Sequence, residues 1–250
     1  MKTLKALSAL LTYPSPELVG ALPEIRSVLT TEALLPATEL GAVDRLIDHI
    51  GITDIYDLQE AYGLLFDRTR QLSLHLFEHV HGESRDRGQA MVDLLKVYED
   101  GGYTPTEREL PDYVPLFLEY AATRERDEAL ELISQPAHVF AALRERLAKR
   151  GSPYEAVFAA LVTIAKAKPD AEALAALRAE PEHEPDDLEA LDAAWAEEEV
   201  KFGPGAASDC GTEVLAAKLR QARRPAPGMD VPPMPGPRTE FTHSTPRPRA

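Results

Sequence analysis

Cysteine is almost absent from this 250-residue chain: Cys210 stands alone, so neither a disulfide framework nor a multi-cysteine zinc site can be built within one molecule. A reducing, cytoplasmic compartment fits that usage. Long apolar runs are missing too, and none approaches the roughly 18 residues that a membrane-spanning helix needs. The opening Met1-Lys2-Thr3-Leu4-Lys5-Ala6-Leu7 sets lysines before a short apolar stretch. It then runs into Tyr13-Pro14-Ser15-Pro16 with no small-residue cleavage site, and reads as a first helix. Positive charge is scarce, 27 Lys and Arg against 42 Asp and Glu, and the resulting net charge of -15 argues against a nucleic-acid footprint. Also lacking are a phosphate-binding glycine loop, a G-x-S-x-G elbow and a cysteine placed beside a base, so no enzyme is expected.

What remains is ordinary globular composition, 44% hydrophobic and 28% charged, enough to fold a body without metals. No alternation of apolar and polar residues makes a sheet, whereas helical periodicity and capping signals abound. The fold class is all-α, a single-domain helical bundle. Ser15-Pro16-Glu17 opens a second helix, and a third covers Ala37 to Ile50, stopping at Gly51. The strongest periodicity starts at Thr53-Asp54, with Ile55, Leu58, Tyr62, Leu65, Leu72, Leu76 and Val80 at steps of three, four or seven; it predicts one helix ending at Gly82. Another begins at Ser84, turns Ala90, Met91, Leu94, Leu95 and Tyr98 inward, and stops at Gly101-Gly102. A shorter one runs from Pro111 to about Ala122. Ser152-Pro153-Tyr154-Glu155 reads as a capping box, flanked by amphipathic segments from Pro136 to Lys149 and, more weakly, Ala171 to Ala179.

The organisation divides into a helical core at 1–168, an acidic, weakly helical extension at 169–202 and a proline-rich tail at 203–250. Ten Asp or Glu residues and no Lys or Arg lie between Glu180 and Glu199, either a solvated helix or linker or a surface that attracts a basic peptide; a short helix around Trp195 is plausible. Nine of the 21 prolines fall in the tail, which buries too little apolar surface to offset its ordering entropy and is expected to be disordered outside a helical interlude near Glu213 to Gln221.

Two segments carry candidate chemistry. His75-Leu76-Phe77-Glu78-His79 has the H-x-x-E-H form of inverted zinc peptidases, in which two histidines a helical turn apart hold zinc beside a glutamate base. Against that stand histidines that hydrogen-bond at a packed helix end, and a cluster that faces a partner. The surrounding Phe66 to Met91 mixes charge and aromatics on nearly every face, which suits a groove that accepts another chain's amphipathic helix. Glu109-Leu110-Pro111-Asp112-Tyr113 with Leu116-Phe117-Leu118-Glu119-Tyr120 is the most aromatic stretch, and its rings also suit a core.

These two segments resemble the NarJ family, the molybdenum-cofactor assembly chaperones of respiratory nitrate reductase, sometimes called its delta subunit. The likeness runs from the N-terminus to about Lys168. It implies the helical fold of the wider TorD-like chaperones and no cofactor of the chaperone's own. It also implies a partner: the apo catalytic α subunit of nitrate reductase, held by its N-terminal segment during molybdenum cofactor insertion and released before membrane docking. TorD-like relatives carry a proline-aspartate-histidine signature at a hinge; Pro111-Asp112 matches, but Tyr113 replaces the histidine, so nucleotide binding proposed for some relatives is not carried over. On this reading Tyr62, Phe66, Leu76, Tyr113 and Phe117 line or support the groove, and Arg68, His75, His79, Glu83, Arg85, Asp112 and Glu119 fix orientation. The rivals are a zinc metallopeptidase built on residues 75–79 and a permanent helical subunit of a complex.

Overall fold

Leu4, Leu7 and Leu10 recur at steps of three, which gives the first helix, α1 (Lys2–Leu10), one apolar face, and all three side chains are wholly buried. The computed structural model describes residues 1–68, 70–81, 85–105 and 109–179, Arg85 by its backbone alone. Helix α2 (Pro16–Glu32) opens as its capping residues predict: the Ser15 hydroxyl accepts the Leu18 N–H at 3.2 Å. It closes on Ala33 in the left-handed conformation. Helix α3 (Ala37–Ile52) continues past Gly51, and α4 (Ile55–Phe66) starts where the Asp54 carboxylate accepts the Tyr56 N–H.

The single helix predicted from Asp54 to Gly82 does not form. The chain leaves the helix after Phe66, makes a 3-10 turn at Arg70–Leu72, and re-enters only for α5 (Leu76–Val80). Tertiary pairing overrides the local periodicity. Leu72 and Leu74 are buried and Val80 is half exposed, and the loop before α5 pairs with the turn at 110–114. There the Val114 N–H donates to Leu74 O at 2.8 Å and the Leu76 N–H to Asp112 O at 3.0 Å, an isolated antiparallel bridge between His75 and Tyr113.

Helix α6 (Arg85–Asp100) ends before Gly102, whose φ is +71°. Of its predicted inward residues Tyr98 is wholly buried and Ala90, Met91 and Leu94 are partly covered, but Leu95 is exposed because the helix packs through a narrow stripe. Helix α7 (Val114–Thr123) begins three residues later than expected, since Pro111 and Asp112 stay in the preceding turn. Helix α8 (Arg126–Ser134), which the sequence reading passed over, buries only Ala129 and Ile133 one turn apart. Helix α9 (Ala137–Lys149) follows as expected. The capping box at Ser152 is replaced by a local turn, in which the Ser152 hydroxyl accepts the Tyr154 N–H at 3.4 Å. Glu155 instead accepts from Arg144 Nε at 2.8 Å and becomes the first residue of α10 (Glu155–Ala165).

Helix α10 is apolar nearly all round, as a buried helix must be, and packs against α3, α8 and α9, while α1 sits against α2 and α7. Helix α11 (Ala171–Ala179) lies on α9, its Leu174 and Leu177 buried in the main core. Buried Arg146 of α9 ties these parts together, donating to Gln71 O at 2.8 Å and to Leu177 O. Among the described residues there are eleven α-helices, no strand, and no helix long and apolar enough to cross a membrane. The Glu180 to Glu199 run, Trp195, the Glu213 to Gln221 segment, Cys210 and the proline-rich tail lie outside the described residues.

Candidate functional site

The break after Phe66 leaves an opening that a continuous helix would have closed. A cleft of about 240 Å³ is lined by Tyr13, Tyr62, Phe66, Asp67, Ser73, Leu74, His75, Glu109 and Tyr113. A second hollow of about 370 Å³ shares Phe66, Asp67, Ser73 and His75 with it and continues to Arg70, Glu78 and Arg87. The two therefore adjoin along the Phe66–His75 edge.

Aromatic rings make the floor. Tyr62 lies 4.8 Å from Phe66 and meets Tyr13 edge-on at 5.5 Å, and Phe66 meets Tyr154 edge-on at 5.2 Å. The Tyr62 hydroxyl donates to Leu11 O at 2.7 Å, which anchors α4 to the end of α1. Burial raises the phenols of Tyr62 and Tyr113 above the ordinary tyrosine range, and pushes Tyr154 up to about 12. These rings stay neutral at physiological pH and meet a ligand as apolar faces with hydroxyl handles.

The wall is held by one carboxylate. Asp112 is wholly buried; its Oδ2 accepts the Phe77 N–H at 3.0 Å and its Oδ1 lies 3.1 Å from His75 Nδ1. That hydrogen bond raises the His75 pKa above its ordinary value, against the opposing cost of burial. The His75 ring is partly exposed and sits 5.4 Å from Tyr113, so it caps the wall at the surface.

Charge divides the cleft. In the second hollow Arg87 pairs with Glu78 at 3.0 Å and Arg70 donates to Glu78 O at 3.4 Å. In the first, Asp67, which the second hollow shares, and Glu109 are exposed carboxylates that make no ion pair among the described residues.

The predicted site residues thus separate. Tyr62, Phe66, His75 and Tyr113 come together in the cleft, and Asp112 stands behind it. Leu76 and Phe117 are buried in the core, and His79 is buried with Nε2 2.8 Å from Ser73 O, a histidine held within the packed helix end. Arg68 is exposed beside the cleft's Asp67. Glu119 accepts from the Tyr103 hydroxyl at 3.3 Å and belongs to a separate aromatic group with Tyr98 and Tyr120. Glu83 and the Arg85 side chain lie outside the described residues. Sequence reasoning missed Tyr13, Asp67, Ser73, Leu74 and Glu109. Tyr13 follows no helical pattern, and its turn is tied to α4 where the Pro14 carbonyl accepts from Gln59 Nε2 at 2.9 Å.

The zinc reading finds no support in this geometry. His75 precedes α5 in extended backbone and faces Asp112, while His79 faces Ser73. Among the described residues no three His, Cys, Asp or Glu side chains come together to hold a metal.

Fold and site together define an all-α protein with an open, aromatic-floored cleft and, among the described residues, no assembled metal-ligating set. Residues 33–160 match the family model described as nitrate reductase delta subunit, and the chain belongs to that family. It is 41% identical over 221 residues to the nitrate reductase molybdenum cofactor assembly chaperone NarJ of Escherichia coli K12, covering 88% of this chain and 92% of that protein. The probable chaperone NarW of the same organism is 37% identical over 215 residues, covering 86% and 90%. The probable chaperone NarJ of Bacillus subtilis strain 168 is 33% identical over 162 residues, covering 61% and 82%.

Proposed function

We propose that this chain is a system-specific assembly chaperone, not an enzyme, which binds the apo catalytic α subunit of a respiratory nitrate reductase by its N-terminal segment. It holds that subunit in the cytoplasm while the molybdenum cofactor is inserted, and leaves before the client docks at the membrane. Kinship to proteins named as nitrate reductase molybdenum cofactor assembly chaperones supports a nitrate reductase client. The observation that carries the mode of binding is the open cleft over Tyr62, Phe66 and Tyr113: apolar faces supply affinity for an amphipathic helix, and the flanking charges supply register. Tyr62, Phe66, Tyr113 and His75 are the contact residues on this reading. Asp112, having no exposed surface, acts by holding the wall.

The test is calorimetry with a synthetic peptide from the client's N-terminus. The parent protein binds it, and Tyr113→Ala, at a half-buried rim position, weakens binding about tenfold or more while the thermal melt stays cooperative. Unchanged affinity in Tyr113→Ala rejects the cleft. A pull-down from nitrate-respiring cells checks the role: immature client lacking molybdenum is expected, and co-purification with the mature membrane enzyme would indicate a permanent subunit instead.

A further inference from the structure

A third hollow, of about 280 Å³, lies between α9 and α10, and among the described residues it shares no lining side chain with the cleft. Ala141, Ala148 and Val162 are its apolar surface, and Arg144, Glu145 and Glu155 its charged one. The carboxylates are paired: Arg144 Nε donates to Glu155 at 2.8 Å, and Arg178 Nε of α11 donates to Glu145 at 2.8 Å. Residues 144–150 hold Arg144, Arg146, Lys149 and Arg150 against Glu145 alone, a basic stretch in a chain whose net charge is -15. Arg146 is turned inward to Gln71 and Leu177, whereas Arg144 and Lys149, on either side of Ala148 along α9, are exposed.

The described residues end beside this hollow. Arg146 holds the last turn of α11 by Leu177 O, Arg178 is bonded to Glu145 on the hollow, and only Ala179 follows. The chain is therefore delivered to the hollow's rim. The next twelve residues, Glu180 to Leu191, hold six acids and no Lys or Arg, with two leucines, Leu188 and Leu191, three apart. That spacing puts both leucines on one side of a helical turn. Leu188 comes nine residues after Ala179, a reach of up to about 30 Å, so the pair can return over α9 and α10.

We propose that the acidic extension folds back on its own core: a helical turn carrying Leu188 and Leu191 fills the hollow between α9 and α10, and its carboxylates stand over Arg144, Lys149 and Arg150. Burial of the two leucines supplies the affinity, and opposite charge fixes how the segment lies. The inference is independent of the client cleft. It gives this part of the acidic run a partner within the chain, in place of a basic peptide from outside. A segment held by two side chains opens locally while the core stays folded, so its docking is read by access to the hollow.

The test places one thiol in the hollow of the full-length chain, Ala148→Cys in a Cys210→Ser background, and follows its labelling by a maleimide. Ala148 is exposed among the described residues, so the substitution spares the core. Adding Leu188→Ser/Leu191→Ser should speed labelling about tenfold, because the thiol then reacts without waiting for the segment to open. Raising ionic strength from about 0.1 to 1 M shortens the Debye length from about 10 to 3 Å, and should speed labelling only while the leucines are present. Labelling that the serines do not change overturns the proposal, whether it is fast or slow. If it is slow and slows further as protein concentration rises, a second copy covers the hollow instead. A leucine effect without a salt effect overturns the pairing of the carboxylates with Arg144, Lys149 and Arg150.

Discussion

His75 Nδ1 lies 3.1 Å from Oδ1 of Asp112, a carboxylate with no exposed surface whose second oxygen accepts the Phe77 N–H at 3.0 Å. One buried side chain therefore clasps the loop before α5 from the turn before α7, in parallel with the backbone bonds at Leu74 and Asp112. Asp112→Ala leaves a buried N–H without its acceptor and His75 without its partner. A loss of about 2–3 kcal/mol is expected in denaturant unfolding. Asp112→Asn, which keeps one oxygen for the Phe77 N–H, should lose less. Equal losses would mean that the oxygen retained in Asn contributes nothing and that the carboxylate's charge carries the clasp.

The same pair makes stability depend on pH. Because the folded-state pKa of His75 is raised, the folded protein holds a proton that the unfolded chain releases near its ordinary value of about 6.5. The pair's contribution is complete below that pH and is lost as pH climbs through the higher folded value. Glu78 reinforces the shift and Arg87 opposes it. His138 acts in the opposite sense, since burial lowers its pKa and the folded state resists its protonation on acidification. The readout is therefore a difference. Subtracting the unfolding free energies of His75→Gln from those of the parent, from pH 5.5 to 8.5, should give a term that declines with rising pH. A flat or rising difference would refute the assignment.

Much of the architecture was legible from residues alone, and the failures share one cause. Ser15 and Asp54 cap where sequence rules put them, and α9 follows its apolar periodicity, because those signals are local. The steps joining Leu65 to Leu72 and Leu76 also fit a helix, yet all that they require is that those residues reach the core. A helix broken after Phe66 satisfies that equally, and the Leu74–Val114 and Leu76–Asp112 backbone bonds decide for the break. The cleft exists because of that break. Tyr13 and Tyr154 reach Tyr62 from distant points of the chain, which no spacing in one sequence reveals. His79 and Phe117, indistinguishable by type from cleft residues, are spent on packing.

Two glycines test that packing with opposite signs. At Gly63, inside α4, an added Cβ meets nothing closer than 3.8 Å, so Gly63→Ala should gain most of the helix-propensity difference, about 1 kcal/mol. At Gly101 the same methyl would lie 2.5 Å from the Tyr120 hydroxyl and 2.9 Å from both Tyr120 Cε2 and an Arg124 guanidinium nitrogen. Tyr120 cannot swing aside. Its ring is buried 4.6 Å from Tyr98, its hydroxyl donates to Val97 O at 3.0 Å, and Arg124 stacks over its face at 4.8 Å. Gly101→Ala must therefore separate the end of α6 from α7, at a cost of about 1–3 kcal/mol. Thermal melts of the two variants should move in opposite directions from the parent. A stabilised Gly101→Ala would mean that the end of α6 is not seated on Tyr120, and that α6 is held chiefly at its other end, by Arg87 and Glu78.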